Sequence, residues 1–254
     1  YAVNPVINIV IMLLIIIGGI GFFTWEDIYL HKFHFKHYHM QSKVILTTTL
    51  CLILLPAVFF FFQDYGNLSG IHRLLASLFQ AVTPRTAGFN TTDLSMLTGA
   101  SKAMMILLML IGGSPSSTAG GMKTTTFALL LLNVLATFQS CDDVTAFGRR
   151  IDASVIKNAT TIAMMYFILF FAGGMTISVY EGLPLLNCLY EAASAVGTVG
   201  LTLGITPELH VFSQVVLIIL MYLGRVGGLT LIYAVFSDKN KRKARLPLDK
   251  IIVG

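Results

Sequence analysis

Residues 195–202 read AVGTVGLT, and residues 83–91 read TPRTAGFNT. Each stretch contains a Thr-x-Gly triplet, and the triplets begin at Thr86 and Thr198, 112 positions apart. Glycine permits backbone angles that a Cβ atom would forbid, so each triplet predicts an irregular turn. Because the triplets recur at a fixed offset within similar surroundings, we interpret the chain as containing a repeated structural unit.

The composition excludes an ordinary soluble protein. Of the 254 residues, 56% are hydrophobic and only 11% are charged, and the mean hydropathy is +0.80. Soluble domains carry about 25% charged residues. The chain is therefore predicted to be an integral membrane protein, not a soluble enzyme, a disordered chain or a nucleic-acid-binding module. The three cysteines are too few and too scattered for a disulfide framework or a zinc cluster; they are Cys51, Cys141 and Cys188.

Hydropathy predicts an all-α protein with five membrane spans. About 20 apolar residues cross a bilayer as a helix, and the qualifying stretches are 5–24, 44–62, 158–179, 210–235 and, with a break in its middle, 102–138. Two further segments are too short to span and predict re-entrant half-helices; they are Ile71–Thr83 and Pro184–Val196.

Basic residues orient these spans. Lysine and arginine concentrate in the stretches 25–43 and 139–157 and in the tail 236–254. The positive-inside rule places these three segments in the cytoplasm and the half-helices on the outer side. The prediction is a multi-pass protein of the cell membrane, in which each repeated unit reads span, half-helix, Thr-x-Gly loop, and span with a mid-span glycine. The mid-span pair Gly112-Gly113 aligns with Gly224-Arg225 at the same offset.

Such a unit favours a cation. The C-terminus of a helix carries about half a negative charge, and loop carbonyls can replace the water shell of an ion, as in the Thr-Val-Gly-Tyr-Gly filters of potassium channels. We therefore predict two ion-filter loops, made of Thr86, Ala87, Gly88 and Phe89, and of Thr198, Val199, Gly200 and Leu201. Potassium is expected at Thr86, Gly88, Thr198 and Gly200, with carbonyl oxygens as the main ligands.

The broken span predicts a flexible loop across the ion path. Glycine, serine and proline together abolish helix propensity, and the break lies near mid-membrane, about ten residues into the span. The predicted gate loop consists of Gly112, Gly113, Ser114, Pro115, Ser116, Ser117, Thr118, Ala119, Gly120, Gly121, Met122 and Lys123. A static unwound turn is the alternative, since broken helices also serve as binding elements.

Four charged residues near these loops carry separate expectations. Arg225 is an isolated charge within a span, which requires a cavity or partners; it is expected to line the pore and contact the gate loop, or else to hold carbonyls of a neighbouring helix. Lys123 is expected to anchor the gate loop. Glu191 is expected to be a buried partner of a backbone amide or an arginine, because carbonyl filters avoid tight carboxylate binding. Arg85 is expected to point away from the ion and to be structural.

Two other kinds of site receive little support. The histidines His31, His34, His37 and His39 are irregularly spaced and are expected to have no cysteine or carboxylate nearby, which disfavours a metal site. An intramembrane protease would need Ser114 or Ser116 within hydrogen-bond reach of His210, whereas the repeat places His210 near the outer end of its span.

The two filter stretches and the gate loop resemble those of the Trk/Ktr/HKT superfamily of potassium transporters. The resemblance extends over essentially the whole chain and is greatest to the KtrB-type bacterial membrane subunit. It implies a pseudo-fourfold pore of four repeats, gated by the intramembrane loop. It also implies a homodimer that works with a cytosolic RCK-type nucleotide-binding ring (KtrA-like), in contact with membrane lipid and without nucleic acid.

On this resemblance the chain corresponds to the last part of a longer protein, without the first two filter loops. The implied division is 1–30 as the last helix of the second repeat, 31–43 as a basic cytosolic loop, 44–138 as the third repeat, 139–157 as a cytosolic loop, 158–235 as the fourth repeat, and 236–254 as a basic cytosolic tail. The transported ion is expected to be potassium; a sodium-selective or sodium-coupled relative is the alternative, because the first filter loop distinguishes the two.

Overall fold

The computed structural model describes residues 4–32, 34–66, 68 and 70–227. Helices dominate this part of the chain. They are α1 (Pro5–Ile20), α2 (Phe22–His31), α3 (Met40–Gln63), α4 (Gly70–Val82), α5 (Gly99–Leu110), α6 (Thr124–Phe138), α7 (Ala153–Glu181), α8 (Leu185–Val196) and α9 (Val211–Val226). One short hairpin, β1 (Thr145–Ala146) and β2 (Arg149–Arg150), separates α6 from α7.

Among the described residues, two helices are long and apolar enough to cross a membrane, and they match two of the predicted spans. The helix α3 has 24 residues and α7 has 29. The bent pair α1 and α2 passes the same test if it is counted as one span. The helices α5, α6, α8 and α9 are apolar but shorter within the described residues.

The first predicted span, 5–24, is wrong as a single straight helix. The helix α1 ends at Ile20, and the chain bends by 95° before α2. Gly21 adopts φ 90° and ψ 146° at the bend, a conformation that strongly favours glycine. The amide of Phe22 then donates to the carbonyl of Ser116, 3.1 Å away, instead of continuing the helix.

The two segments predicted to be half-helices form the short helices α4 and α8. Each packs against the helix that precedes it, α4 on α3 and α8 on α7. Each also packs against the last helix of the unit before it: α4 against α1, and α8 against α5. The two units therefore follow one another with the same neighbour relation.

The break in the fifth predicted span is confirmed. The helix α5 ends at Leu110 and α6 begins at Thr124. At the aligned pair Gly224-Arg225 the helix is not broken: α9 continues through both residues and ends before Gly227, which has φ 87° and ψ 141°. Gly21 and Gly227 thus have nearly the same backbone conformation. The remainder of the span predicted to reach 235, and the predicted tail 236–254, lie outside the described residues.

The helix α8 lies at the centre of the main hydrophobic cluster. From Tyr190 to Val196 every residue is buried, and side chains of α5, α7 and α9 surround the helix. Glycines allow this close packing: a Cβ atom on Gly224 would lie 2.0 Å from the carbonyl oxygen of Val196. The half-helix α8 is therefore held on several sides by the main hydrophobic cluster.

The hairpin after α6 is a feature that hydropathy did not predict. Phe147 and Gly148 form its turn, both with positive φ, which matches the twist of a two-residue hairpin. Ala146 is buried and packs with Val44 of α3 and Ala128 of α6. The hairpin therefore covers the ends of α3 and α6.

Candidate ion filter and gate loop

The two Thr-x-Gly loops share one backbone conformation. Thr86 and Thr198 have φ of 60° and 53°, and Gly88 and Gly200 have φ of 75° and 89°. Positive φ is uncommon for a residue other than glycine. Its occurrence at both threonines means that the repeat seen in the sequence is also a repeat of backbone geometry.

The structure brings the two loops into contact. A Cβ atom on Gly88 would lie 2.3 Å from the carbonyl oxygen of Val199. The same Cβ atom would lie 3.4 Å from the carbonyl carbon of Gly200. Only glycine fits at position 88, because this approach and the positive φ both exclude a side chain.

Three successive backbone carbonyls in each filter loop accept no hydrogen bond from the described residues. They belong to Thr86, Ala87, Gly88, Thr198, Val199 and Gly200. Most buried backbone carbonyls in proteins are paired. By contrast, the carbonyl of Phe89 accepts a hydrogen bond from the Thr83 hydroxyl. The run of unpaired carbonyls in the first loop therefore ends at Gly88.

Polar side chains brace the filter loops from behind. Glu191 is buried and accepts hydrogen bonds from the Leu203 amide at 2.9 Å, from the Thr202 hydroxyl at 2.8 Å and from the Thr206 hydroxyl at 2.7 Å. The expectation that Glu191 is a buried partner of a backbone amide is confirmed. Such charge-assisted bonds are stronger than neutral ones, so Glu191 fixes the outer limb of the second loop.

The first loop is braced by residues that the sequence did not single out. Tyr65 donates to the Gln80 side-chain oxygen at 3.2 Å, and its hydroxyl lies 3.0 Å from that of Thr92. Gln80 lies near the end of the half-helix α4. A polar side chain on this apolar half-helix was the feature of the sequence that could have indicated the brace.

The gate loop is closed at its base by backbone hydrogen bonds. The amide of Gly112 donates to the Met122 carbonyl at 2.8 Å, and the amide of Thr124 donates to the Gly113 carbonyl at 3.0 Å. Ser114 is fully buried, and its amide donates to the Gly19 carbonyl at 2.9 Å. The loop is therefore anchored at its neck and against α1.

The tip of the gate loop reaches both the bend of α1 and the second filter loop. A Cβ atom on Gly21 would lie 2.3 Å from the Pro115 carbonyl oxygen. A Cβ atom on Gly120 would lie 2.1 Å from the Thr198 hydroxyl oxygen. These approaches place the loop directly against the filter.

Two cations hold adjacent carbonyls of this loop. Arg225 donates from Nη1 to the Thr118 carbonyl at 2.9 Å, and Lys123 donates from Nζ to the Ala119 carbonyl at 2.6 Å. The contact of Arg225 with the loop agrees with the sequence interpretation, and so does the contact of Lys123. Ser117 adds a hydrogen bond from its hydroxyl to the Ser114 carbonyl at 2.6 Å.

A cavity of about 350 Å³ separates the first filter loop from the tip of the gate loop. Thr86 and Ala87 line one side, Thr118 and Ala119 line another, and α1 supplies the apolar wall. Arg85 also borders this cavity, although it is buried and its Nη1 lies 3.5 Å from the Thr49 carbonyl oxygen of α3. It is thus held by α3, as expected of a structural arginine.

The geometry opposes the protease alternative. His210 immediately precedes α9, and Arg225 near the other end of α9 contacts the gate loop. The helix between them rises about 22 Å. The His210 ring is paired with Glu181, at 2.7 Å from Nδ1 to Oε2, whereas the Ser114 hydroxyl lies 3.1 Å from that of Thr124.

The expectation that no carboxylate lies near the histidines of the 31–39 segment is wrong, because His31 and His39 both approach Asp27. Asp27 is buried, and its Oδ1 lies 2.6 Å from Nδ1 of His39. The His39 amide and the Ser42 hydroxyl also donate to this carboxylate. No group of three potential metal ligands occurs among the described residues. The cluster ties α2 to the start of α3.

Comparison with known proteins identifies relatives along the entire chain. The family model described as TrkH, cation transport protein, matches residues 1–243. The chain is 35% identical to the Ktr system potassium uptake protein B of Bacillus subtilis, and the alignment covers 100% of this chain and 58% of that protein. It is 36% identical to the potassium/sodium uptake protein NtpJ of Enterococcus hirae, over 99% of this chain and 58% of that protein.

A solved structure has the same fold. The potassium transporter TrkH from Vibrio parahaemolyticus superposes with a TM-score of 0.73 at 20% identity, covering 90% of this chain and 52% of that one. The chain therefore spans little more than half the length of the relatives that it matches. Since the family model covers nearly all of the sequence, this chain belongs to the TrkH family of cation transport proteins.

Proposed function

We propose that this chain belongs to the potassium-translocating membrane subunit of a bacterial potassium uptake system. The observation that carries the proposal is the set of six unpaired carbonyls in two contacting loops of equal conformation. Carbonyl dipoles can replace the hydration shell of a potassium ion. Irregular backbone at membrane depth is tolerated where it is buried in protein or lines a water-filled cavity, and the 350 Å³ cavity lies beside the first loop.

The pore of this subunit would be pseudo-fourfold. Each half-helix packs between its own first helix and the last helix of the preceding unit. Repetition of this relation turns successive units around a common axis, with the filter loops inside. In this interpretation two filter loops come from this chain, and two further loops of the same kind complete the ring.

The gate loop would control passage below the filter. Its support is the position of Gly120 against Thr198 and the attachment of the neighbouring carbonyls to Arg225 and Lys123. Release of these two cations, with the backbone bonds of Ser114 and Ser116 to α1 and α2, would free the tip while the base at Gly112 and Met122 stays closed. A cytosolic signal could act on the loop through α2, because the Phe22 amide is bonded to Ser116.

We further propose a homodimer in the cell membrane that works with a cytosolic RCK-type ring. The support is the family membership and the name of the Bacillus subtilis relative, which describes a component of a Ktr system. The histidine-containing loop 31–39 would face this ring.

Sodium is the second candidate ion. The Enterococcus hirae relative is named as a potassium/sodium uptake protein and is as similar in sequence as the potassium uptake protein. Both filter loops of this chain are therefore compatible with either a potassium-selective pore or one that depends on sodium.

Ion uptake by cells tests the proposal and separates the two ions. The protein would be expressed in potassium-starved bacteria that lack their own uptake systems. We expect uptake of potassium that saturates with concentration and exceeds uptake of sodium supplied alone. Sodium uptake equal to or greater than potassium uptake would favour the second candidate, and transport of neither ion above the level of an empty vector would contradict both.

Removal of the brace at Glu191 is expected to reduce ion discrimination. Glu191→Ala leaves three donors behind the second filter loop without their acceptor. Charged hydrogen bonds contribute about 1.5–3 kcal/mol each, so losing one in the selective conformation corresponds to about a tenfold fall in the potassium-to-sodium uptake ratio. Glu208→Ala is the control, because Glu208 carries the same charge on the exposed side of the same loop. An unchanged potassium-to-sodium uptake ratio in Glu191→Ala would show that the hydrogen bonds of Glu191 do not determine ion selectivity.

A further inference from the structure

An apolar groove opens between α3 and α6 and ends at the β-hairpin. We name it the inner groove; its volume is about 380 Å³. Its walls include Val44 of α3, Leu131 and Leu135 of α6, and Phe147 of the hairpin turn. Leu131, Leu135 and Phe147 are 48%, 53% and 50% exposed. The groove is therefore mostly apolar, although Thr47, Thr48 and Thr145 also line it. It is uncovered by the described residues and large enough for part of a small ligand.

Positive charges border the hairpin end of the groove. Lys43 directly precedes Val44. On the hairpin, Arg149 is paired with Ala146 and Arg150 with Thr145, and both of these partners line the groove. Each of these cations is therefore next to a residue of the groove wall, either along the chain or across the β-hairpin.

These cations differ in how far they are neutralised. Arg150 forms an exposed ion pair with Asp143 at 3.3 Å, and Lys43 donates from Nζ to the Lys36 carbonyl at 2.7 Å. Among the described residues Arg149 has no acidic partner within 4.0 Å. Arg149 is therefore the cation with the most capacity to hold an anion.

Two exposed aromatic rings complete this rim. Phe35 and Phe147 have ring centroids 6.3 Å apart, and Lys43 Nζ lies 6.0 Å from the Phe35 centroid. Phe35 is 40% exposed. The two rings extend the apolar surface of the groove to its cationic rim, and long cationic side chains near a membrane can reach the headgroups of lipids.

We propose that the inner groove binds an anionic phospholipid of the cytoplasmic leaflet, with an acyl chain in the groove and the phosphate at Arg149 and Lys43. An amphiphile satisfies both parts of the site, since the apolar walls need a hydrocarbon and the rim needs a negative charge. A zwitterionic lipid would leave the cationic rim without a net counter-charge, and a soluble anion would leave the groove empty. This inference does not depend on which cation the protein transports.

Lipid retention by the purified full-length protein tests the headgroup contact. The protein would be held in dioleoyl phosphatidylcholine nanodiscs and titrated with dioleoyl phosphatidylglycerol, and bound lipid would be counted by native mass spectrometry. We expect Arg149→Gln to weaken phosphatidylglycerol binding about fivefold. A basic residue near an anionic lipid surface contributes about 1 kcal/mol to binding, which corresponds to a factor of about five in the dissociation constant. Lys157→Gln is the matched control. Lys157 is exposed near the start of α7, and its substitution removes one positive charge, as Arg149→Gln does.

A second pair of variants tests the acyl-chain contact. Leu131→Trp should fill the groove and abolish retention, whereas Val134→Trp should not, because Val134 is 47% exposed on the same helix and does not line the groove. Equal retention of phosphatidylcholine and phosphatidylglycerol, or equal retention by all four variants, would overturn the proposal. Displacement of the lipid by glycerol 3-phosphate would also overturn it, because it would assign the site to a free phosphate.

Discussion

Gly88→Ala is expected to abolish potassium uptake. The added Cβ would lie 2.3 Å from the Val199 carbonyl oxygen, one of the proposed ion ligands. This contact is far shorter than van der Waals distance, and its partner is backbone that cannot rotate away. The two filter loops would therefore separate. The left-handed φ of 75° at this position adds about 1–2 kcal/mol of strain.

The experiment compares uptake rates at equal amounts of protein in the membrane. Gly182→Ala is the matched control, because Gly182 has φ 69° and nothing within 4 Å of its added Cβ. Both variants carry the backbone strain, but only Gly88→Ala disturbs the filter. We expect at least a hundredfold loss of potassium uptake for Gly88→Ala and near-normal uptake for Gly182→Ala. Normal uptake by Gly88→Ala would remove this loop from the ion path.

The helices and the filter loops were predictable because they depend on local sequence. Apolar length alone located α3 and α7, since a span requires a long uninterrupted apolar segment. The Thr-x-Gly repeat located the two loops, because both the threonine and the glycine of each triplet adopt positive φ. Glycine, serine and proline located the break between α5 and α6, since these residues are poor helix formers.

Features that depend on distant partners were not predictable in this way. The bend after α1 requires the Pro115 carbonyl to approach Gly21, and these residues are far apart in sequence. The carboxylate of Asp27 is explained only when His39 and Ser42 fold back against it. The hairpin turn at Phe147-Gly148 has glycine at only one of its two positive-φ positions, so its sequence signal is weak.

The gate loop lies between these two cases. Its composition indicated an unwound segment, but a static turn and a mobile gate remained open. The structure places cations on two adjacent carbonyls of its tip, at 2.9 Å for Arg225 and 2.6 Å for Lys123. A loop attached by side chains, with its neck fixed by backbone bonds, can be released at the tip alone. Mobility of the tip therefore depends on these two contacts together with the backbone hydrogen bonds from Ser114 to Gly19 and from Phe22 to Ser116.

Arg225→Gln is expected to raise potassium uptake about tenfold. A hydrogen bond from a charged donor contributes about 1.5–3 kcal/mol, and 1.4 kcal/mol corresponds to a factor of ten in the population of the released loop. Removal of the charge also lowers the electrostatic barrier to a cation in the path. The uptake rate would be measured at saturating potassium without a regulatory partner, where a closed gate limits transport.

Two further variants distinguish release of the loop from a general effect of charge. Arg225→Lys keeps the charge but loses the planar donor geometry of the guanidinium, so uptake should fall between that of the original protein and that of Arg225→Gln. Lys102→Gln removes a cation that contacts Asn187 at 3.3 Å, away from the gate loop, and should leave uptake unchanged. If Arg225→Gln lowers uptake while Lys102→Gln does not, Arg225 supports the pore structure instead of closing it. If Arg225 holds the gate closed at Thr118, Arg225→Gln raises uptake instead, because the arginine then stabilises the closed position more than the open one.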